Sequence, residues 1–495
     1  QPSLTRHHWL PKMSQKMKKP TFSKFILAAI LLLASFNLFS QVLQPFGKEY
    51  DANLKGDILV IGNNILNRDL GTTGNRANDA YNATGSSSSY NENLNMKWIN
   101  IDSDGGKNFN SSSAKLTIPA ASQSCYKIAY AALYWSGTYS IAADRGSASG
   151  ADRSVINKVR FKAGAANYVD LTGKVIYDYI GSGAPSIPQN VPATAQSARN
   201  PYACMIDVTN YVRSAGEVNY IVANIASSEG GAGTSAGHSA GWSLFVVYED
   251  PKLPGKYITS YNGFTRIRGG DPAFTFPING FRTIPVGPVK TKLAFATLEG
   301  DNRDTSDYMS IVGSTIAGST AERLFTPTIR PDVPNFFNST INDLDTHFLN
   351  RNPASRNTLG FDTGVLSLAN PSNNTIKNKE TSANITLGTG ADWYYLFFTA
   401  LAIETIEPEI ILTKRVLDDA GNDIGGTSVT FNDVLNYVIR FQNVGNDDAQ
   451  NFTIEDTLPI NVIFNYPADI VSLPAGITVK SYDPATRKLI FEIDF

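Results

Sequence analysis

Apolar residues in this chain recur with the period of a β-strand, and stripes with the period of a helix are scarce. Val218, Tyr220 and Val222 alternate with Asn219 and Ile221, whereas Ile128 to Trp135 and Trp242 to Tyr248 are apolar on both faces. Runs of the second kind suit the inner strands of a sandwich. Strand-like stretches recur at Ile58 to Ile61, Val155 to Phe161, Lys174 to Ile180, Tyr257 to Tyr261, Val289 to Leu298, Ala383 to Leu387 and Trp393 to Ile403, separated by Gly, Asn, Ser and Pro clusters. Asp207 is placed to cap one short helix reaching Val212. Asn75 to Asn95 and Gly181 to Asn200 read as long surface loops. Hydrophobic residues make up 42% of the chain and charged residues 17%, which supplies sizeable cores and excludes disorder as the main state. The expectation is an all-β protein, and 495 residues predict two or three domains.

The N-terminus reads as an address. Lys18, Lys19 and Lys24 precede an apolar run from Phe25 to Phe36, and Ser40 offers a small residue before Gln41. This is the pattern of a signal peptide over 17–40, with Met17 as the start and 1–16 as an upstream, non-native extension. The run is too short for a bilayer core, which needs about 20 residues. Residues 1–40 carry six bases and no acid, so of 42 bases and 44 acids the remainder keeps 36 and 44, a net −8. Such a body does not suit nucleic acid, which needs a basic footprint. An exported, extracellular protein with two cysteines is expected to pair them, here Cys125 with Cys204.

A boundary falls at Glu407-Pro408-Glu409. It divides a large, elaborated β-sandwich head over 41–405, with room for two subdomains, from a module over 410–495 joined by a linker at 406–409. The module has alternating strands at Asn436 to Gln442, Asn451 to Glu455 and Lys488 to Ile493, the signals of an immunoglobulin-like β-sandwich whose C-terminal end is truncated. Leu412 to Pro459, with its Asn443 to Gly445 turn and its Asp-Thr-Leu-Pro at 456–459, resembles the bacterial surface-protein repeat known as domain of unknown function 11. The stretches Leu133 to Ser140, Gly241 to Phe264, Lys292 to Asp301 and Asn335 to Thr340 resemble the heads that precede such repeats in exported proteins of the Bacteroidota. The resemblance implies a secreted or surface-attached protein of the gliding-motility and adhesion kind, exported by the type nine secretion system through outer-membrane machinery. It brings no catalytic residues.

Several motifs invite chemistry. Gly237-His238-Ser239-Ala240-Gly241 fits the nucleophile elbow, with His347 and Asp332 or Asp343 downstream to complete a triad. A flexible loop precedes it and a strand follows, where the elbow needs a strand before and a helix after, so the loop reading is preferred. Gly231 to Ala236 matches a dinucleotide fingerprint in letters but also leads into a strand. Asp102 and Asp104, and separately Glu299, Asp301, Asp304 and Asp307, are the best metal ligands, because calcium takes several oxygens from a flexible loop. The first loop is no EF-hand: Ser113 stands where a bidentate glutamate is required. A solvated acidic turn is the competing reading of both loops. Tyr81, Tyr90, Tyr139 and Tyr261 sit beside turns, where they serve either a ligand or the rim of a sandwich.

Two function classes follow. One is a non-enzymatic, adhesin-like surface or secreted protein, whose head contacts a glycan or protein ligand and whose module acts as a stalk, with no cofactor beyond calcium. The other is an extracellular polysaccharide-acting enzyme or carbohydrate-binding module using the acids near Glu299. No set of polar residues has the specific spacing of a catalytic centre, which favours the first.

Overall fold

The computed structural model describes residues 42–494 apart from short stretches, chiefly 140–152, 180–199, 232–236 and 406–409. The expected signal peptide over 17–40 and the expected linker at 406–409 therefore lie outside the described residues. Eleven strands form the largest sheet: β1 (Val42–Asn64), β2 (Lys127–Thr138), β3 (Lys174–Asp178), β4 (Pro201–Asp207), β5 (Ala240–Glu249), β6 (Gly255–Arg268), β7 (Thr291–Gly300), β8 (Ile341–Asp343), β9 (Thr346–His347), β10 (Gly360–Ser367) and β11 (Trp393–Glu404). Their spatial order is β9-β8-β10-β7-β11-β6-β1-β5-β2-β4-β3. All neighbours are antiparallel except β8 and β10.

The sheet folds back on itself at β1. Residues Val42 to Lys55 pair with β6, and Gly56 to Asn64 pair with β5. Glycine is needed at the crossing, because a Cβ on Gly56 would lie 2.1 Å from the Tyr248 carbonyl oxygen. The two parts are thus separate layers. One, β9-β8-β10-β7-β11-β6 with the first half of β1, faces the other, the second half of β1 with β5-β2-β4-β3. Ile58, Val60, Tyr134, Phe245, Val247, Phe264, Ala294 and Phe398 fill the core between them.

Each layer is covered again on its other side. Trp135, Trp242, Leu244 and Val246 share a second core with Phe161, Tyr220 and Val222, which belong to a five-stranded sheet that includes Lys158–Ala163 and Asn219–Ala223. Leu293, Phe295, Leu401 and Ile403 share a third with Phe276, Ile278, Met309 and Ile385, from a four-stranded sheet that includes Phe274–Asn279 and Ser382–Gly388. Four stacked layers explain the runs that are apolar on both faces: in β5, Trp242, Leu244 and Val246 point one way, Phe245 and Val247 the other. In β11 the alternation slips at a bulge, so adjacent Phe397 and Phe398 both enter the central core. Each large side chain so buried contributes about 1.5–3 kcal/mol.

The sole α-helix among the described residues is Thr209–Ala215. Asp207 stands just ahead of it and accepts a hydrogen bond from the Thr209 amide at 2.7 Å. Beyond the linker, Ile410–Leu417 pairs with Asn436–Asn443, and Phe452–Thr457, Lys488–Ile493 and Ile477–Asp483 form a three-stranded sheet. Lys414 joins the two through an ion pair with Asp456 at 2.7 Å, and Phe441 meets Phe452 edge to face at 5.5 Å. The chain is all-β and built of packed sheets, as its periodicity predicts.

The expected Cys125–Cys204 disulfide is corrected. Neither cysteine is bridged. Cys204 lies on β4 opposite Trp135 and points into the second core, its Sγ 3.5 Å from the Ile156 carbonyl. Cys125 precedes β2 and its Sγ lies 3.2 Å from Asp250 Oδ1. Their settings differ, one inside the core and the other in a turn, so an even cysteine count does not by itself pair them.

Candidate functional site

The acidic turn at Asp102 is occupied by cations of the protein itself. Asp102 Oδ2 pairs with Lys162 Nζ at 3.1 Å and accepts from the Tyr168 hydroxyl at 3.2 Å, while Asp104 pairs with Arg160 at 2.8 Å. Burial pushes the Asp102 carboxyl up, but the Asp104 amide and the Lys162 ammonium outweigh it and hold the group below the usual carboxylate range. Both bases come from Lys158–Ala163, an edge-proximal strand of the five-stranded sheet. The turn is therefore tied to the sheet by its own carboxylates.

The described members of the second acidic set, Glu299, Asp301 and Asp307, do not form a group that could hold one metal ion. Asp304 lies outside the described residues, Asp301 is half-buried, and Asp307 is buried, forming a bridge with Asn335. Among the described residues no three of His, Cys, Asp and Glu stand where one metal ion would join them. Glu299 has a different partner: the Ser239 hydroxyl donates to its Oε1 at 2.6 Å. Asn91 Nδ2 approaches both carboxylate oxygens at 3.4 Å. Glu299 sits at a bulge near the end of β7 with φ +66, a left-handed conformation that costs a non-glycine residue about 1–2 kcal/mol. Gly360, at the start of β10 with φ +86, allows this closeness, since a Cβ there would lie 2.8 Å from both Ser239 Cβ and Asn91 Nδ2.

Two sequence motifs thus meet that the sequence treats as unrelated, the serine of the elbow pattern and the glutamate of the acidic cluster. The meeting point is sealed. Ser239 is 0% exposed, Asn91 1%, His238 2% and Glu299 5%. His238 Nδ1 faces the Thr138 hydroxyl at 3.4 Å, so the serine's acceptor is a carboxylate and not an imidazole. No helix follows Ser239; β5 begins at Ala240. The cluster ties together the turn at Asn91, the start of β5, the end of β7 and the start of β10. Behind it the buried Asp362 pairs with Arg330 at 3.0 Å and accepts from the Ser339 and Thr340 amides, both at 2.9 Å. It is a polar seam between strands, and its chemistry is cohesion.

An open groove of about 670 Å³ lies where β1 passes from one layer to the other. Tyr50, Ala52, Asn53 and Leu54 of β1 form one wall; Tyr126 to Ala129, Arg213 of the helix and Glu249 form the other. Tyr50 stacks on Tyr130 at 4.3 Å, and burial, then the charges of Glu249 and Asp51, push its hydroxyl pKa up to about 12. Arg213 donates to the Ile128 and Ala129 carbonyls at 3.1 and 3.3 Å, which fixes the helix against β2. Of the tyrosines singled out beside turns, Tyr81 and Tyr261 are core members. The groove goes unnoticed in the sequence, because Gly47 to Asp57 is polar and turn-like in composition.

Residues 414–471 match the family model for a domain of unknown function (DUF7619). No curated protein matches the chain. Among solved structures, the chain is similar to PNGase F, a glycosylasparaginase from Flavobacterium meningosepticum, at 10% identity over 72% of this chain and 96% of that one, with a TM-score of 0.15.

Proposed function

We propose that this chain is a non-enzymatic, adhesin-like contact protein that works outside the cell, its layered head meeting a glycan or protein ligand and its C-terminal module serving as a stalk. One observation carries the reading: Ser239 and Glu299, the serine and the carboxylate of the two tempting motifs, meet in a contact closed to solvent, whereas the open groove at Tyr50 is lined for contact, with tyrosines, opposite charges and backbone. A catalytic centre needs a route for substrate to its reacting groups; a contact surface needs rigid support behind an accessible edge. The signal-peptide pattern at 17–40 and the resemblance to repeats of domain of unknown function 11 in exported Bacteroidota proteins support the location and the gliding or adhesion setting.

Two deletions test this, with surface labelling to establish display of each protein. Removing 41–405 is expected to reduce attachment or gliding, while removing 410–495 mainly shortens reach. Normal attachment and gliding with the displayed head deletion, together with polysaccharide degradation by the purified full chain, overturn the proposal in favour of an extracellular enzyme.

A further inference from the structure

The first half of β1 is the outermost strand of its layer: it pairs with β6 on one side, and β5 begins to pair with β1 only at Gly56. Open strand edges invite another strand, and proteins blunt them with bulges and proline. Upstream of Tyr50 this edge is blunted, with three register shifts between Val42 and Tyr50 and a proline at Pro45. From Tyr50 to Lys55 it is not, and the pairing with β6 runs without a shift. That regular stretch is the part of β1 that lines the groove.

The facing wall adds charge. Lys127 is exposed and has no ion-pair partner among the described residues, and Arg213 is engaged by the Ile128 and Ala129 carbonyls and the Asn210 side chain, not by a carboxylate. The lining includes one acid, Glu249, against these two bases. We infer that Tyr50 to Leu54 takes up an extended peptide as an added strand, with an acidic side chain of that peptide lying against Lys127 and Arg213. Main-chain hydrogen bonds along the open edge supply sequence-tolerant affinity, and the two bases select an acid over a base. Space for the added strand is the groove itself. The inference deepens the contact reading by naming a class of partner, and it rests on that reading for its setting.

The purified full chain tests it with a fluorescein-labelled decapeptide of alternating valine and threonine carrying two central glutamates. Saturable anisotropy and slowed hydrogen exchange at Tyr50 to Leu54 are expected. Lys127→Glu, a surface change whose fold is checked by circular dichroism, is expected to weaken binding about fivefold, the size of a lost exposed attraction plus a gained repulsion. The same peptide with lysines in place of glutamates is expected to gain from that substitution. N-methylation of alternate peptide amides is expected to abolish binding, because it removes the edge hydrogen bonds. Absence of saturable binding, or binding that survives N-methylation, overturns the inference. So does protection of Tyr50 to Leu54 that grows with protein concentration without peptide, which assigns the edge to a second copy, and protection by a neutral oligosaccharide that displaces the peptide. Peptide binding fails or holds independently of the deletion assays, so the loss of one reading is distinguishable from the loss of the other.

Discussion

Substituting Asp57 by Asn is expected to cost about 3 kcal/mol of stability. Asp57 follows the crossing glycine of β1, and its Oδ2 lies 2.8 Å from both Lys256 Nζ on β6 and Lys292 Nζ on β7. One carboxylate therefore clamps the layer that β1 leaves at the point where it leaves. The Asp57 and Lys256 side chains are 10% and 9% exposed, and Lys292 is 27% exposed. Removing one partner of a buried pair costs about 3–5 kcal/mol because the other charge is stranded. The low end applies, since Lys292 can turn toward water. An amide keeps an oxygen for the Ile58 amide, which Asp57 Oδ1 accepts at 2.9 Å, so the change isolates the charge. For a head of this size, 3 kcal/mol corresponds to a drop of about 4 °C in Tm, read by scanning calorimetry or by dye-monitored melting. Burial raises the Asp57 carboxyl pKa, but Lys292 and Lys256 lower it further, leaving it below the ordinary value. A depressed folded-state pKa stabilises fully above the unfolded value near 4 and loses the contribution as pH falls through the folded one. The gap between the native protein and Asp57→Asn should be flat at neutral pH and close on acidification below about 4. Adding Lys256→Met should recover part of the loss by removing the stranded ammonium. A loss under about 1 kcal/mol, or a gap that widens in acid, refutes the clamp.

Gly360→Ala should destabilise by about 3 kcal/mol, from a φ of +86 and the contact with Ser239 and Asn91, and melting curves measure it. Quantitative thiol labelling of the denatured, unreduced protein should find two thiols per chain, since Cys125 and Cys204 are not bridged; none would restore the disulfide. Chelator, and then excess calcium, should leave Tm unchanged, because Lys162 and Arg160 already satisfy the carboxylates of Asp102 and Asp104; a drop reversed by calcium would show a bound ion acting by mass action.

Strands were legible where both faces are buried. Trp393 to Ile403 in the sequence corresponds to Trp393–Glu404 in the structure, because apolar density on two faces survives any register. β1 was legible only at Ile58 to Ile61, its doubly covered part; the other half of its 23 residues is a polar edge whose composition matches a loop. The layering itself follows from pairings that periodicity does not encode: β1 sits between β5 and β6, some 180–220 positions onward in the chain. The Ser239–Glu299 contact was invisible for the same reason. Each residue stood in a separate pattern, one in the elbow motif and the other in the acidic cluster, since a motif reports spacing along the chain and nothing about burial. The ion pairs of Asp102 and Asp104 were not legible because their cationic partners, Lys162 and Arg160, lie more than fifty residues away on another strand.

The stacking also restricts where this protein can make contact. An ordinary two-layer sandwich leaves the outer face of each sheet to solvent, and ligands can lie across either. Here the two inner layers are covered on both sides, so Trp242, Phe245, Leu293 and Phe398 are all fully buried and the central strands that carry them offer no face to solvent. What the main sheet keeps is its margin. One end of that margin is closed by the seam of Asn91, Ser239, Glu299 and Gly360, which knits four segments together and leaves no room beside them. The other is the regular edge of β1 from Tyr50 to Leu54, where the same crossing that builds the two layers prevents β5 from covering the strand. The edge is thus a geometric consequence of how the head is stacked: β5 could cover it only by pairing with β1 upstream of Gly56, which would dissolve the crossing on which both inner layers depend.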